Sequence, residues 1–352
     1  MNLRHSGLPA DLQTYAVLIL VKVNDVYFSF ANTFTPIALP YFDIVSHLTG
    51  RPTGPTMADL MRLPIETAIK LYEGYLWTLT FADSRVDQFP LMSSPKYTAY
   101  WTLSYLVFVL LVGPYIMSRR AAFELRWILV IYNLAMMLLN LYIAVEVLIV
   151  SAQAGYSYIC EPVDYSRSAL SMRMAAVLWW FYASKLFEFA DSVFFILRKK
   201  FNQLTFLHVY HHSTMFCLWW IGVRWVAGGS AFFGAMLNSS VHTLMYSYYG
   251  LTAAFPHVNF WWKKYLTVVQ MIQFCVAFMH GAIGLYVDCP FPRWMGWALL
   301  LYMVSFIVLF ANFYLHAYIT KKPKKSVRNE AHESNGNGFH AVGRVSAKSK
   351  ED

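Results

Sequence analysis

Residues 207–212 read Leu207-His208-Val209-Tyr210-His211-His212 and lie inside a run of aromatic and aliphatic residues. On a helix these histidines, at i, i+3 and i+4, occupy about 100° of one face. If that helix sits in a membrane, imidazoles aimed at a bundle interior are expensive unless they do chemistry or bind a metal. A lone histidine on an apolar face is ordinarily a satisfied core residue. Three on one face point instead to a site, and the surrounding sequence says of what kind.

The chain has 352 residues, of which 58% are hydrophobic, 18% aromatic and only 13% charged. Soluble domains carry about 25% charged residues. Together with a positive mean hydropathy, this indicates an all-α polytopic membrane protein. The net charge of +9 does not call for nucleic acid, because the basic residues sit in a polar tail and in short loops between apolar runs, where they report topology.

Seven apolar stretches are long enough to span a bilayer: about 97–117, 127–150, 174–197, 204–223, 231–251, 266–286 and 294–318. Ahead of them, Ile65 to Asp83 reads as an amphipathic helix lying on the membrane, with Ile69, Leu71, Tyr72 and Leu76 interspersed with Lys70 and Glu73. Residues 1–63 form an N-terminal extension with no long periodic pattern. Alternate loops carry Arg119, Arg120 and Arg126, then Arg198, Lys199 and Lys200, then Lys263 and Lys264, and finally the lysine-rich tail. The positive-inside rule then places the C-terminus in the cytosol and the N-terminus in the lumen. Cys160 and Cys289 fall in loops assigned to the lumen, where a disulfide is plausible. Cys217 and Cys275 fall within spans and read as small core residues. Residues 321–352 are polar and expected to be disordered. Lys348 and Lys350, five and three residues from the end, resemble a dilysine signal that returns membrane proteins to the endoplasmic reticulum.

Further polar clusters interrupt the apolar runs. The third stretch contains Lys185, Glu188, Asp191 and Ser192; Lys185, Glu188 and Ser192 share a helix face, with Asp191 about a third of a turn aside. They either fix helix packing as ion pairs or orient the histidines, since a carboxylate on an imidazole N–H sets its tautomer. In the fifth, Asn238, His242, Met245, Tyr246 and Tyr249 form one stripe. The sixth carries Thr267, Gln270, Gln273 and Phe274. His280 and His316 have no polar company and read as structural.

Two chemistries could use such a cluster. A membrane oxygenase or desaturase binds iron through His-x-x-His-His boxes, but a di-iron site needs roughly eight ligands in repeated boxes, more than this chain supplies. The alternative is imidazole as nucleophile and acid/base: a neutral histidine attacks a thioester to form an acyl-imidazole. Neither membrane cysteine has polar neighbours suited to thiol activation. A non-enzymatic seven-helix receptor or transporter would explain the spans, though not the polar boxes.

In order and spacing, these boxes resemble the ELO family of very-long-chain fatty acid elongases. Its Lys-x-x-Glu-x-x-Asp-Thr box falls on Lys185, Glu188 and Asp191, with Ser192 in place of threonine. Its His-x-x-His-His box falls on His208, His211 and His212, and its His-x-x-Met-Tyr-x-Tyr-Tyr box on His242, Met245, Tyr246, Tyr248 and Tyr249. The Thr-x-x-Gln-x-x-Gln-Phe box falls on Thr267, Gln270, Gln273 and Phe274, and the resemblance covers about residues 64–320. Residues 156–165, 206–251 and 288–292 look most like the vertebrate branch that makes very-long-chain saturated and polyunsaturated acyl-CoAs.

The resemblance implies condensation of a long-chain acyl-CoA with malonyl-CoA to 3-oxoacyl-CoA, CoA and carbon dioxide, with no metal and no cofactor beyond the CoA of the substrates. It implies seven helices, six of them an inverted barrel around an acyl tunnel. His211 would be the acylated nucleophile and His242 would face it; His208 and His212 would assist, while Asp191 and Asn238 would orient the imidazoles. Lys185, Glu188, Tyr246, Tyr249, Gln270 and Gln273 would contact substrate, and Arg198, Lys199, Lys200, Lys263 and Lys264 would hold CoA phosphates. The resemblance also implies an endoplasmic reticulum location and a homodimer or hetero-oligomer with other elongases. The 3-oxoacyl-CoA reductase, 3-hydroxyacyl-CoA dehydratase and enoyl-CoA reductase would be further partners.

Overall fold

A computed structural model describes residues 67, 69–70 and 72–319; among them every regular element is helical and there is no strand. The expected N-terminal extension, the tail and the Lys348/Lys350 signal lie outside the described residues. Helix α1 covers 72–79. Then follow α2 (Pro95–Ser118), α3 (Arg126–Ala154), α4 (Ala169–Phe187), α5 (Phe189–Leu197), α6 (Phe206–Trp225), α7 (Ala231–Ala254), α8 (Lys263–Tyr286) and α9 (Arg293–Tyr314).

Of these, α2, α3, α8 and α9 are long and apolar enough to cross a membrane. The helices between α3 and α8 carry three of the four polar boxes, which lower their hydropathy; the fourth lies on α8 itself. Exposure is inverted relative to a soluble protein. Ile131, Leu111 and Leu301 are 68%, 66% and 73% exposed, while Lys185, Glu188, Asp191, Asn238 and His242 are buried. Large apolar side chains facing outward around a polar interior need lipid, not water, as their surroundings. This is a multi-pass membrane protein.

Two expectations need correction. The third apolar stretch is not one helix: it breaks at Glu188, where the Asp191 amide donates to the Glu188 carbonyl at 3.1 Å, an i−3 bond. That turn separates α4 from α5, with Glu188 itself at αR dihedrals, φ −62° and ψ −17°. Cys275 is not a core residue but is exposed on α8, and half-buried Cys217 lies 3.2 Å from the Thr102 hydroxyl.

Helix starts follow local chemistry. Pro95 opens α2 behind the Ser94 cap, and the Thr205 hydroxyl accepts from the His208 amide at 3.3 Å to open α6. In α2 a π-helical turn over Phe108–Val112 precedes Gly113, which packs against Ile196 of α5; a Cβ there would stand 3.0 Å from that side chain. Helix α3 packs on α4 and α7, α7 on α8, α8 on α9, α9 on α6, and α6 on α2 and α4.

At one end of the bundle Cys160 and Cys289 form a disulfide, Cα to Cα 5.6 Å. Beside it the Ser230 amide donates to the Glu161 carbonyl at 2.9 Å. Gly229, at φ +53°, lets this loop approach, since a Cβ there would meet the Glu161 carbonyl and Val163 at 2.9 Å. The chain after α1 is clamped to the same end by indole N–H groups: Trp225 donates to the Thr78 carbonyl, Trp179 to Pro90 and Trp220 to Leu91, at 2.8, 2.9 and 2.9 Å. Arg85 is the centre of that clamp. It is 2% exposed, pairs with equally buried Asp83, and donates to the carbonyls of Ser171 and Ala227 at 3.2 and 3.0 Å. Removing one member of a buried pair strands the other, at a cost of about 3–5 kcal/mol. Arg85→Ala is therefore expected to lower the melting temperature in detergent markedly, and the double change Asp83→Leu with Arg85→Leu to recover part of it. Equal melting temperatures for Arg85→Ala and the unsubstituted chain would contradict this reading.

Candidate active site

The Glu188 carboxylate, at the junction of α4 and α5, reaches across to α7. Lys185 donates to Glu188 Oε1 at 2.7 Å and to Asn238 Oδ1 at 3.0 Å, with its ammonium 4.4 Å from the Phe181 ring. His242 Nδ1 lies 3.1 Å from the same Glu188 oxygen. A carboxylate accepts, so His242 carries its proton on Nδ1 and leaves Nε2 as the basic nitrogen. One turn on, the Tyr246 hydroxyl donates to Asp191 Oδ2 at 2.8 Å. On the other side of α5, the Ser192 hydroxyl lies 2.8 Å from His208 Nε2 and 2.9 Å from the Tyr105 hydroxyl. Ser192 thus joins α2, α5 and α6 through one hydroxyl.

The expected orienting roles are redistributed accordingly. Glu188, not Asp191 or Asn238, holds an imidazole: Asp191 is taken by Tyr246, and Asn238 by Lys185. Spacing alone could not assign these partners, because they stand on another helix, α7. Tyr105 was absent from the sequence reading. Its hydroxyl is one of several on α2, so no local signal singled it out, although a buried phenol needs a partner.

The histidines converge as their spacing required. Ring centroids are 4.2 Å apart for His208 and His212, 5.2 Å for His211 and His212, and 6.0 Å for His211 and His242 across the gap between α6 and α7. His212 Nδ1 and Glu188 Oε2 are buried without a hydrogen-bond partner. Among the described residues, no three His, Cys, Asp or Glu side chains converge as metal ligands.

A cavity of about 370 Å³ opens beside this cluster, within the range of ligand pockets. Its inner end is formed by His211, Asn238, Gln273 and Phe306, and its far end by Ser230, Cys289 and Pro292 near the disulfide. Of His208, His211, His212 and His242, His211 alone lines it. Gln273 to Leu285, both on its wall, spans about 18 Å of helix at 1.5 Å per residue. Between the ends the walls are apolar, including Met215, Leu218, Phe274 and Met303.

Other expected contacts lie away from this cavity. Gln270 donates to Met245 Sδ at 3.5 Å, and Tyr249 is 37% exposed with its ring 6.3 Å from that of Tyr246. Lys199, Lys200, Lys263 and Lys264 are exposed and Arg198 half-buried, at the ends of α5 and α8 away from the disulfide.

Comparison with known proteins places the chain among fatty acid elongases. The chain is 55% identical over 273 residues to very long chain fatty acid elongase 4 of Homo sapiens, covering 77% of this chain and 85% of that protein. It is 45% identical over 256 residues to very long chain fatty acid elongase 2 of Mus musculus, covering 72% and 86%. It is 41% identical over 265 residues to very long chain fatty acid elongase 1 of Homo sapiens, covering 73% and 93%. Residues 90–326, which contain every box described above, match the model of the GNS1/SUR4 family, and the chain belongs to this ELO family.

Proposed function

We propose that this chain is the condensing enzyme of fatty acid elongation, a 3-oxoacyl-CoA synthase that joins a very-long-chain acyl-CoA to malonyl-CoA with His211 as the acyl carrier. One observation carries the reading: His211 is the cluster's only histidine on the wall of a long apolar cavity, and His242 stands across from it with its proton fixed by Glu188.

The chemistry runs in two halves. A His211 ring nitrogen attacks the thioester carbonyl, and the carbon–sulfur bond breaks. CoA leaves as thiolate and takes a proton, while the imidazole N–H proton passes to a base such as His242 Nε2. The acyl-imidazole stays with its alkyl chain in the cavity. Malonyl-CoA then loses carbon dioxide, and the electron pair of the broken carbon–carbon bond becomes an enolate. The enolate carbon attacks the acyl carbonyl, forming the new carbon–carbon bond as the acyl–nitrogen bond breaks, and His211 takes back the proton held by the base. The sum is acyl-CoA, malonyl-CoA and one proton going to 3-oxoacyl-CoA, CoA and carbon dioxide. Departure of the gas drives the second half forward.

Neighbour contacts support a ring of six helices, α3, α4, α6, α7, α8 and α9, with α2 packed outside against α6 and α5 standing as the inner end of the α4 span. In this reading the basic end faces the cytosol, where Arg198–Lys200 and Lys263–Lys264 attract the CoA phosphates, and the disulfide end faces the lumen of the endoplasmic reticulum. The 3-oxo product requires reduction, dehydration and a second reduction before another cycle, so enzymes of those classes are the expected partners.

With purified protein and labelled malonyl-CoA, His211→Ala is expected to lower condensation by on the order of 10³-fold or more; full activity of that variant would end the nucleophile assignment. Gly234 and Gly284 line the cavity, and a Cβ at either meets nothing within 4 Å. A leucine there would project into the channel, so Gly234→Leu and Gly284→Leu are expected to truncate the product ladder at its long end. An unshifted ladder in both would show that the acyl chain lies elsewhere.

A further inference from the structure

The far half of the cavity has one thin wall. Phe233 of α7 and His280 of α8 stack ring on ring, with centroids 4.4 Å apart and planes at 25°. Both side chains line the inner cavity, and both also line a second hollow of about 640 Å³ on the other side. That outer hollow runs along the lipid-facing stripe of α8 through Met271, Ile272, Cys275, Val276 and Met279, and reaches Tyr158 and Ile159 beside the disulfide loop. His280 Nε2 is buried with no hydrogen-bond partner. The pair is therefore held at this nitrogen by ring contact and not by a polar anchor, although an unmet imidazole nitrogen is costly in such a place. Ordinary wall-building would use a leucine or phenylalanine. An unanchored stack between two apolar spaces is better suited to parting.

We propose that the outer hollow is a second acyl site, which takes the methyl end of a chain that has outgrown the inner cavity, admitted when the Phe233 and His280 rings separate. This rests on the reading of the inner cavity as the acyl channel. The far end of the inner cavity is lined by Ser230, Cys289 and Pro292, and the Cys160–Cys289 disulfide ties that loop down covalently. A growing chain in the inner cavity would run toward this cross-linked loop, with the Phe233–His280 stack beside it. The outer walls are as apolar as lipid, so a methyl end entering the hollow gives up no solvation relative to the bilayer. Chain growth by two carbons per cycle would then continue past the length of the straight channel, with the stack setting how readily the chain turns aside.

The test uses the full-length protein in microsomes, labelled malonyl-CoA and a ladder of acyl-CoA primers, with products separated by chain length. Phe233→Ala removes one leaf of the wall and is expected to raise the ratio of the longest to the intermediate products severalfold. Met279→Trp fills the outer hollow from a side chain that is 55% exposed and not part of the inner cavity's wall. It is expected to lower the same ratio severalfold, to leave elongation of short primers intact, and to cancel the gain of Phe233→Ala when the two are combined. Normal elongation of short primers by Met279→Trp with an unmoved ladder would overturn the outer site and leave the condensing reading standing. Failure of the unsubstituted protein to incorporate malonyl carbon into any primer would instead defeat the parent reading, and the outer site with it.

Discussion

A lysine ammonium 2.7 Å from a glutamate carboxylate, both closed off from the surface, sits at the centre of this bundle. Neither charge would be tolerable alone at that depth, since an unpaired ion in an apolar interior costs several kcal/mol. Together they impose terms on their neighbours. Lys185 needs a second acceptor and takes it from Asn238, while Glu188 needs a further donor and takes it from His242. Helix α4 is thereby tied to α7 at one level along the bundle, and that level is where His211 faces His242. The ion pair thus fixes α7, which carries His242, against α4, while the Ser192–His208 contact ties α6 to α5.

The rest of the site reads as consequences of that constraint. With its Nδ1 proton committed to Glu188, His242 has one free nitrogen and so one direction in which to act. His208 is held through Ser192 and Tyr105. His212 is packed behind both, with rings at 4.2 and 5.2 Å from His208 and His211. Only His211 is left facing open space. A cluster of similar side chains is in this way divided by second partners into one that meets substrate and others that position it, which chemical identity alone would not accomplish.

Much of this was visible in the sequence, for identifiable reasons. Three histidines at i, i+3 and i+4 must share a face, so their convergence needed no tertiary knowledge. A low charge fraction with polar boxes inside apolar runs foretold the inverted exposure. What stayed hidden depended on contacts between helices. No glycine or proline marks the break at Glu188, so the third apolar stretch read as continuous, and the facing of Asp191 and Ser192 could not be known. Cys275 looked like core because its neighbours one turn away on α8 are apolar, and an apolar neighbourhood does not say which side meets lipid. The indole clamps from Trp179, Trp220 and Trp225 onto residues 78–91 are long-range bonds to backbone carbonyls, which leave no local signature.

The central claim is that one imidazole carries the acyl group and that geometry selects which. It is tested most directly by incubating the purified protein with a long-chain acyl-CoA in the absence of malonyl-CoA, quenching, and mapping the modified peptide by mass spectrometry. The account predicts an acyl mass on His211 that disappears when malonyl-CoA is added. An adduct on Cys217 or on another histidine, or release of free CoA with no acylated residue, would contradict it.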